Sequence, residues 1–251
     1  MSESKREKSW QAGPLRIRVT LPDDDAPRPK ERLTVERIVD TAMDLMAAKG
    51  YDAVSMRSLA KELGTGPASL YAHVANKEEL DALVIDRISA GLSLPEPDPA
   101  RWQEQVKGLM RQMLELYRAH PGSARAAMAI IPTGESSVRT MEGMLGILLA
   151  GGVTEQAAAW FCDLAPAYVG AIAVEEDIWR TRENSTPAGE DPDHPAIDEQ
   201  LAGYFSSLPV DQFPLLTSLA RVVTTGDGTD RFEFGIDVLV AGLGAVSEKY
   251  R

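Results

Sequence analysis

Apolar residues recur at helical spacing along most of the chain, and this pattern predicts an all-α protein. Between residues 34 and 91 the pattern divides into short amphipathic helices. Gly50 ends the first helix and Gly64 the second, while Ser55 and Asn76 stand where helix N-caps are expected. We therefore expect a head of small helices followed by a longer helical body.

The second and third of these helices form a helix-turn-helix pattern, in which Leu63-Gly64 ends one helix and a tight turn leads into a very short one. Leu70 and Val74 are expected to face inward. The residues expected to point outward are Pro67, Ala68, Ser69, Tyr71 and His73. An outward Tyr and His on so short a helix indicate a face that meets a partner, and in such motifs the second helix enters the DNA major groove. The alternative is an ordinary helical bundle with a chance match.

The same run resembles the DNA-binding domain of the TetR family of repressors, and its tetracycline-repressor branch in particular. The matching residues are Ser55-Met56-Arg57, Leu63-Gly64, Leu70-Tyr71-Ala72-His73-Val74, and Asn76-Lys77 with Leu80. The resemblance implies that Arg57 and Lys77 contact DNA phosphates and that Ser55 adds a hydroxyl contact. It also implies that the recognition helix meets DNA through Thr65, Pro67, Ala68, Ser69, Tyr71 and His73.

The start of the recognition helix departs from what direct base reading requires. The run Thr65-Gly66-Pro67-Ala68-Ser69 offers no long amide or guanidinium for bidentate contacts with a base. We expect specificity to depend on apolar contacts with thymine methyl groups, on Tyr71 and on DNA shape.

Three prolines, Pro95, Pro97 and Pro99, interrupt the chain after the head. They predict a domain boundary near 92–99. We expect three segments: a flexible N-terminal arm over 1–33, a helix-turn-helix domain with a connecting helix over 34–91, and a helical ligand-binding and dimerisation domain over 92–251. The arm is either a solvated tail or a basic segment that follows the DNA minor groove. A strand at 16–19 is discounted because it has no evident partner.

Small and aliphatic residues alternate in the helices predicted around 154–182 and 229–250. Helices that are apolar on more than one side must be buried on more than one side. A thick monomeric core would satisfy this requirement. The resemblance favours a homodimer in which the two helices pair with their copies across a two-fold axis.

The body also carries residues that could line a ligand pocket between the helices that start near Arg101, Glu135 and Thr154. The candidates are Trp102, Leu109, Met113, Tyr117, Ile131, Met141, Met144 and Cys162, with Glu175 as a receiver for a polar group. The alternative is that these side chains are ordinary core. The nine methionines favour an adaptable apolar cavity.

Tetracycline repressors use body histidines to bind a metal–tetracycline chelate, and this chain has only His73, His120 and His194. His73 belongs to the head, His120 lies at a helix end and His194 lies in an acidic, Pro-rich loop. We therefore expect a small, mostly apolar effector that is not metal–tetracycline, and we expect no metal site and no cofactor.

Charge and motifs narrow the function classes. The net charge is −12, but residues 1–88 hold 14 Lys or Arg against 15 Asp or Glu, so the acidity belongs to the body and DNA contact must be local. One cysteine excludes a disulfide framework within the chain, and no apolar run is expected to span a bilayer. Phosphate-binding and hydrolase motifs are absent, which argues against an enzyme.

The sequence favours a cytoplasmic, dimeric DNA-binding regulator, most simply a repressor of a palindromic operator. An activator or a ligand-independent regulator is the alternative.

Overall fold

The computed structural model describes residues 8–12, 15–19, 32–185 and 197–251 and divides into two units, 1–34 and 35–251. In the first unit, strands β1 (Lys8–Ala12) and β2 (Leu15–Val19) pair antiparallel, with Lys8 opposite Val19 and Ala12 opposite Leu15. Discounting the strand at 16–19 was therefore wrong, because its partner is the segment just before it in sequence. Apart from residues 32 and 33, the rest of the predicted arm lies outside the described residues.

The head consists of short helices whose ends follow local chemistry. They are α1 (Val35–Lys49), a 3-10 turn (Tyr51–Ala53), α2 (Met56–Glu62), α3 (Pro67–Tyr71) and α4 (Lys77–Ser89). Ser55 and Ser58 form a reciprocal capping box at the start of α2, and the Asn76 side chain accepts a 2.8 Å hydrogen bond from the Glu79 amide. Both predicted caps are confirmed.

The body is built around one long helix. Its elements are α5 (Trp102–Ala119), α6 (Ser123–Met128), α7 (Glu135–Ala150), α8 (Glu155–Ser185), α9 (Ile197–Ser206), α10 (Pro214–Ser218), α11 (Ala220–Thr224), α12 (Gly228–Val246) and a final 3-10 turn (Ser247–Tyr250). Helices α5, α7, α8 and α12 enclose one apolar core that includes Met110, Ile147, Phe161 and Ile236. From residue 32 onwards every regular element in the described part of the chain is helical, as predicted.

By length and hydropathy, α8 could cross a membrane between Glu155 and Thr181. Charged residues that include Asp163, Glu175 and Glu176 interrupt this stretch, so it contains no uninterrupted apolar run of about 20 residues. The packing explains the composition, since α8 contacts α5, α6, α7 and α12 and must present apolar residues in several directions.

The Pro-rich connection after α4 is fastened to α5 by two glutamine side chains. Gln112 accepts from the Ser93 amide at 2.9 Å and donates to the Ser93 carbonyl at 3.3 Å. Gln105 accepts from the Asp98 amide at 2.9 Å and donates to the Glu96 carbonyl at 2.7 Å. Because these amides satisfy backbone groups in a stretch that forms no helix, the end of α4 is held against the body.

Candidate nucleic-acid interface and effector cavity

Helix α3 presents one buried and one exposed face, as predicted. Leu70 of α3 and Val74, just after its end, are fully buried and anchor the helix to the head. Tyr71 keeps 52% of its surface exposed, and the exposed set also includes Pro67, Ala68, Ser69 and His73. This face is therefore open to a partner along the whole helix.

The residues at the start of α2 differ in how free their side chains are. The Ser55 hydroxyl accepts from the Ser58 amide at 3.1 Å, so its oxygen serves as the helix cap. Arg57 is exposed, and within the described residues its guanidinium makes no ion pair. Thr65, in the turn before α3, is half-buried. The charge of Arg57, at the start of this helix, is thus available to an anion.

Lys77 is held in a cluster that the sequence analysis missed. Its ammonium lies 4.2 Å from the centroid of the Tyr51 ring and pairs with the carboxylate of Asp81, a residue that is only 5% exposed. The Tyr51 hydroxyl donates to the other carboxylate oxygen of Asp81 at 2.8 Å. Burial, and then the hydrogen bond and negative charge of Asp81, raise the pKa of Tyr51 to about 12. Both oxygens of the buried carboxylate are therefore satisfied.

The same tyrosine is also where the head meets α6 of the body. A Cβ on Gly122, whose φ is +86°, would lie 2.8 Å from Tyr51 Cβ, so the two backbones pack closely there. The Gly122 amide donates to Asp177 of α8 at 2.7 Å, and Arg125 forms a 2.9 Å ion pair with Asp52. The turn after α1 is thus in direct contact with α6.

A cavity of about 160 Å³ lies beneath α4, enclosed by α5, α6, α7 and α8. Five of the predicted pocket residues line it: Met113, Tyr117, Met141, Met144 and Cys162. The sequence analysis missed the contribution of α4, which supplies Ile85, Ile88 and Ser89, and of Leu92 just after its end. Helical spacing indicated that α4 was amphipathic but not what its apolar face covers.

The other four predicted pocket residues lie elsewhere. The Trp102 ring packs against Gly151, where an added Cβ would overlap it, and Leu109 belongs to the closed core. Ile131 is 80% exposed, and Glu175 is exposed on α8. A periodic apolar position predicts an inward face but does not separate a cavity wall from a filled core.

The polar side chains that line the cavity are hydroxyls and one thiol, apart from the carboxyl group of Asp163. Burial raises the pKa of Tyr117 to about 12, and burial together with the Asp163 charge raises the pKa of Cys162 to about 11. Asp163 is exposed at the edge of the cavity. The cavity lining contains no histidine, and among the described residues no group of three His, Cys, Asp or Glu could hold a metal ion. His194 lies outside the described residues.

Helices α8 and α12 expose apolar side chains next to each other. Trp160 and Leu164 of α8 are 54% and 48% exposed, and Val238 and Val246 of α12 are 52% and 45% exposed. All four line a groove of about 340 Å³ between the two helices. Tyr250 also lines this groove and packs edge-on against Trp160, with ring centroids 5.3 Å apart.

Two family models match the chain over these same parts. The model for bacterial regulatory proteins of the tetR family matches residues 38–82, and the model for the tetracyclin repressor-like C-terminal domain matches residues 94–247. Among curated proteins, the HTH-type transcriptional repressor DrrR1 of Streptomyces coeruleorubidus is 30% identical over 220 residues, which cover 86% of this chain and 78% of DrrR1. The class D tetracycline repressor protein of Escherichia coli is 24% identical over 215 residues, covering 84% of this chain and 89% of that protein.

A solved structure extends the similarity to a ligand complex. The TetR family protein ActR of Streptomyces coelicolor, in complex with actinorhodin, is 40% identical with a TM-score of 0.77, covering 88% of this chain and all of ActR. The complex of ActR with (S)-DNPA gives a TM-score of 0.74 over 85% of this chain and 98% of ActR. This chain therefore belongs to the TetR family of bacterial regulatory proteins, and it is a DNA-binding transcriptional regulator.

Proposed function

We propose that this protein is a homodimeric repressor that leaves a palindromic operator when a small, mostly apolar effector fills the cavity beneath α4. The observation that carries the proposal is that Ile85 and Ile88 of α4, together with Leu92 just after its end, line that cavity, while the same helix begins at Lys77 beside the proposed DNA-contacting face. A ligand acts in this way only if it binds the released arrangement of the heads more tightly than the DNA-bound one. Because α4 forms one wall of the cavity, a ligand that shifts α4 also shifts the head, and its affinity would then differ between the two arrangements.

On the DNA side, we propose that α3 enters the major groove. Pro67, Ala68, Ser69, Tyr71 and His73 provide the exposed face, Thr65 stands at its edge, and Ser55, Arg57 and Lys77 meet the backbone. A single short recognition helix has little surface for tight binding, so two copies are needed, with half-sites about one DNA turn apart. We infer that the two copies join through α8 and α12, because the apolar groove between these helices otherwise remains open to water.

The proposed effector binds without a metal. The observed cavity, about 160 Å³, is smaller than the roughly 300–1,000 Å³ typical of ligand pockets, so an effector must widen it. Met113, Met141 and Met144 can permit this because their unbranched side chains change rotamer readily. The ActR complexes make actinorhodin and (S)-DNPA suitable first compounds to try.

Fluorescence anisotropy of the purified protein with DNA from beside its own coding region tests the proposal. We expect tight binding by two protomers that a scrambled duplex does not reproduce, that Tyr71→Ala abolishes, and that an effector reverses. Binding no better than to the scrambled duplex would contradict operator recognition. A transcription reporter separates repression from activation, and operator binding unchanged by any cavity ligand would favour a ligand-independent regulator. We infer that the protein acts in the cytoplasm, and through binding rather than catalysis, as other regulators of this family do.

A further inference from the structure

The side chain of Tyr117 is 9% exposed and lines the effector cavity from α5. Its hydroxyl has no hydrogen-bond partner within the part of the chain that the structure describes. Buried hydroxyls in proteins nearly always have a partner, and leaving one without a partner is costly. This hydroxyl is therefore an available group in the wall of a mostly apolar space.

The hydroxyl also remains reachable. Among the described residues, the only fully enclosed side-chain oxygen without a partner is Oγ of Ser123. The Tyr117 oxygen must therefore keep some accessible surface, and the open space beside this residue is the cavity.

The hydroxyls of Ser89 and Ser137 also line the cavity, but both residues are only half-buried, so water reaches these hydroxyls more easily than that of Tyr117. The other polar groups nearby are less suited to donate a hydrogen bond to a ligand. The Thr140 hydroxyl already donates to the Ser136 carbonyl at 2.9 Å, and the Cys162 thiol is a weak donor. Asp163 accepts but cannot donate when ionised. Because the pKa of Tyr117 is about 12, its hydroxyl keeps its proton at neutral pH and can donate it.

We propose that the effector carries a carbonyl oxygen that accepts a hydrogen bond from the Tyr117 hydroxyl inside the cavity. The inference rests on the proposed function, since it assigns the chemistry of the ligand for that same cavity. It makes the effector an apolar compound with a carbonyl group placed against α5, because a pure hydrocarbon would leave the hydroxyl without a partner once water is displaced.

Two probes of nearly the same shape test this, 2-acetylnaphthalene with a carbonyl and 2-ethylnaphthalene without one. Equilibrium dialysis of the full chain measures the affinity of each for the wild type and for Tyr117→Phe. We expect Tyr117→Phe to weaken binding of 2-acetylnaphthalene about 3- to 10-fold, the range of one neutral hydrogen bond, and to leave 2-ethylnaphthalene within about twofold or bound more tightly. The phenylalanine variant should melt no lower than the wild type, since the hydroxyl has no protein partner to lose.

Tyr168→Phe is the matched control, because that hydroxyl lies 3.4 Å from the carbonyl oxygens of Arg231 and Phe232 and Tyr168 does not line the cavity. It should change neither affinity. Equal losses for both probes in Tyr117→Phe, or no loss for either, would overturn the carbonyl assignment while the cavity stands. If neither probe binds the wild type, both the carbonyl assignment and the proposed effector cavity are wrong. The proposal of operator binding, which is measured separately, would still stand.

Discussion

The Tyr51 hydroxyl and the Lys77 ammonium each donate a hydrogen bond to a different oxygen of the Asp81 carboxylate. Tyr51 and Asp81 are 30 residues apart in the sequence. Asp81 is a buried charge, and such a charge is stable only when its partners are in place. The three residues therefore fix the start of α4 against the turn after α1, and they also hold a lysine that we propose to contact DNA.

Removing the Tyr51 hydroxyl should destabilise the protein. Tyr51→Phe leaves the ring in place but takes one partner from a buried carboxylate, and a hydrogen bond to a charged group contributes about 1.5–3 kcal/mol. We expect the unfolding free energy, measured with urea, to fall by about that amount. Tyr71→Phe on exposed α3 is the control and should change stability little; equal effects of the two substitutions would contradict the role of the cluster.

Stability should decline at high pH because of two tyrosines. The pKa values of Tyr51 and Tyr117 are raised in the folded state to about 12 from about 10. A group whose folded pKa is raised stabilises the fold below the unfolded pKa and loses that contribution as pH rises through the folded pKa. Because the pKa of Cys162 is also raised, from about 9 to about 11, we expect unfolding free energies to fall from about pH 9 to 12, and to fall less in Tyr117→Phe. A variant profile parallel to that of the wild type would rule out Tyr117 as a source of the decline.

The close approach of Gly122 to Tyr51 should make this glycine hard to replace. Gly122→Ala faces two costs, a left-handed backbone and a Cβ 2.8 Å from Tyr51 Cβ. Gly152→Ala is a matched control, since φ there is +81° but no atom lies within 4 Å of the added Cβ. We expect Gly152→Ala to cost about 1 kcal/mol in urea unfolding and Gly122→Ala clearly more, with weaker operator binding only in the second. Equal behaviour of the two variants would show that the contact between α6 and the head is loose.

A charge in the groove between α8 and α12 should separate the proposed dimer. Leu164→Glu replaces a residue that is 48% exposed in the single chain and would be buried between copies. We expect sedimentation velocity at micromolar concentration to show dimers for the wild type and monomers for the variant, because an unpaired buried charge is costly. Val138→Glu on α7, 53% exposed and away from that groove, should remain dimeric. If the wild type itself is monomeric, the assignment of the groove is wrong.

Local patterns predicted the head well and the cavity only in part. The spacing of Leu70 and Val74 and the caps at Ser55 and Asn76 depend on neighbours within four residues, so the sequence alone shows them. The hydrogen bond from Tyr51 to Asp81 and the α4 wall of the cavity depend on how distant helices pack. Trp102 and Leu109 look like pocket residues by type and period, yet both pack in filled regions, which only the assembled body reveals.

Arg57 and Lys77, both predicted to contact phosphate, should behave differently when neutralised. The Arg57 charge has no ion-pair partner within the described residues, whereas Lys77 already pairs with Asp81. A phosphate contact contributes about one unit to the slope of log affinity against log salt concentration. In anisotropy titrations, Arg57→Gln should lower that slope by about 1 per contact for operator and scrambled duplexes alike, with little effect on folding. Lys77→Gln should lower the slope less and reduce stability, because the buried carboxylate of Asp81 then has only Tyr51 as a partner. If Lys77→Gln lowered the slope as much as Arg57→Gln and left stability unchanged, Lys77 would have to turn from Asp81 to the phosphate when DNA binds. The cluster would then not fix the position of Lys77.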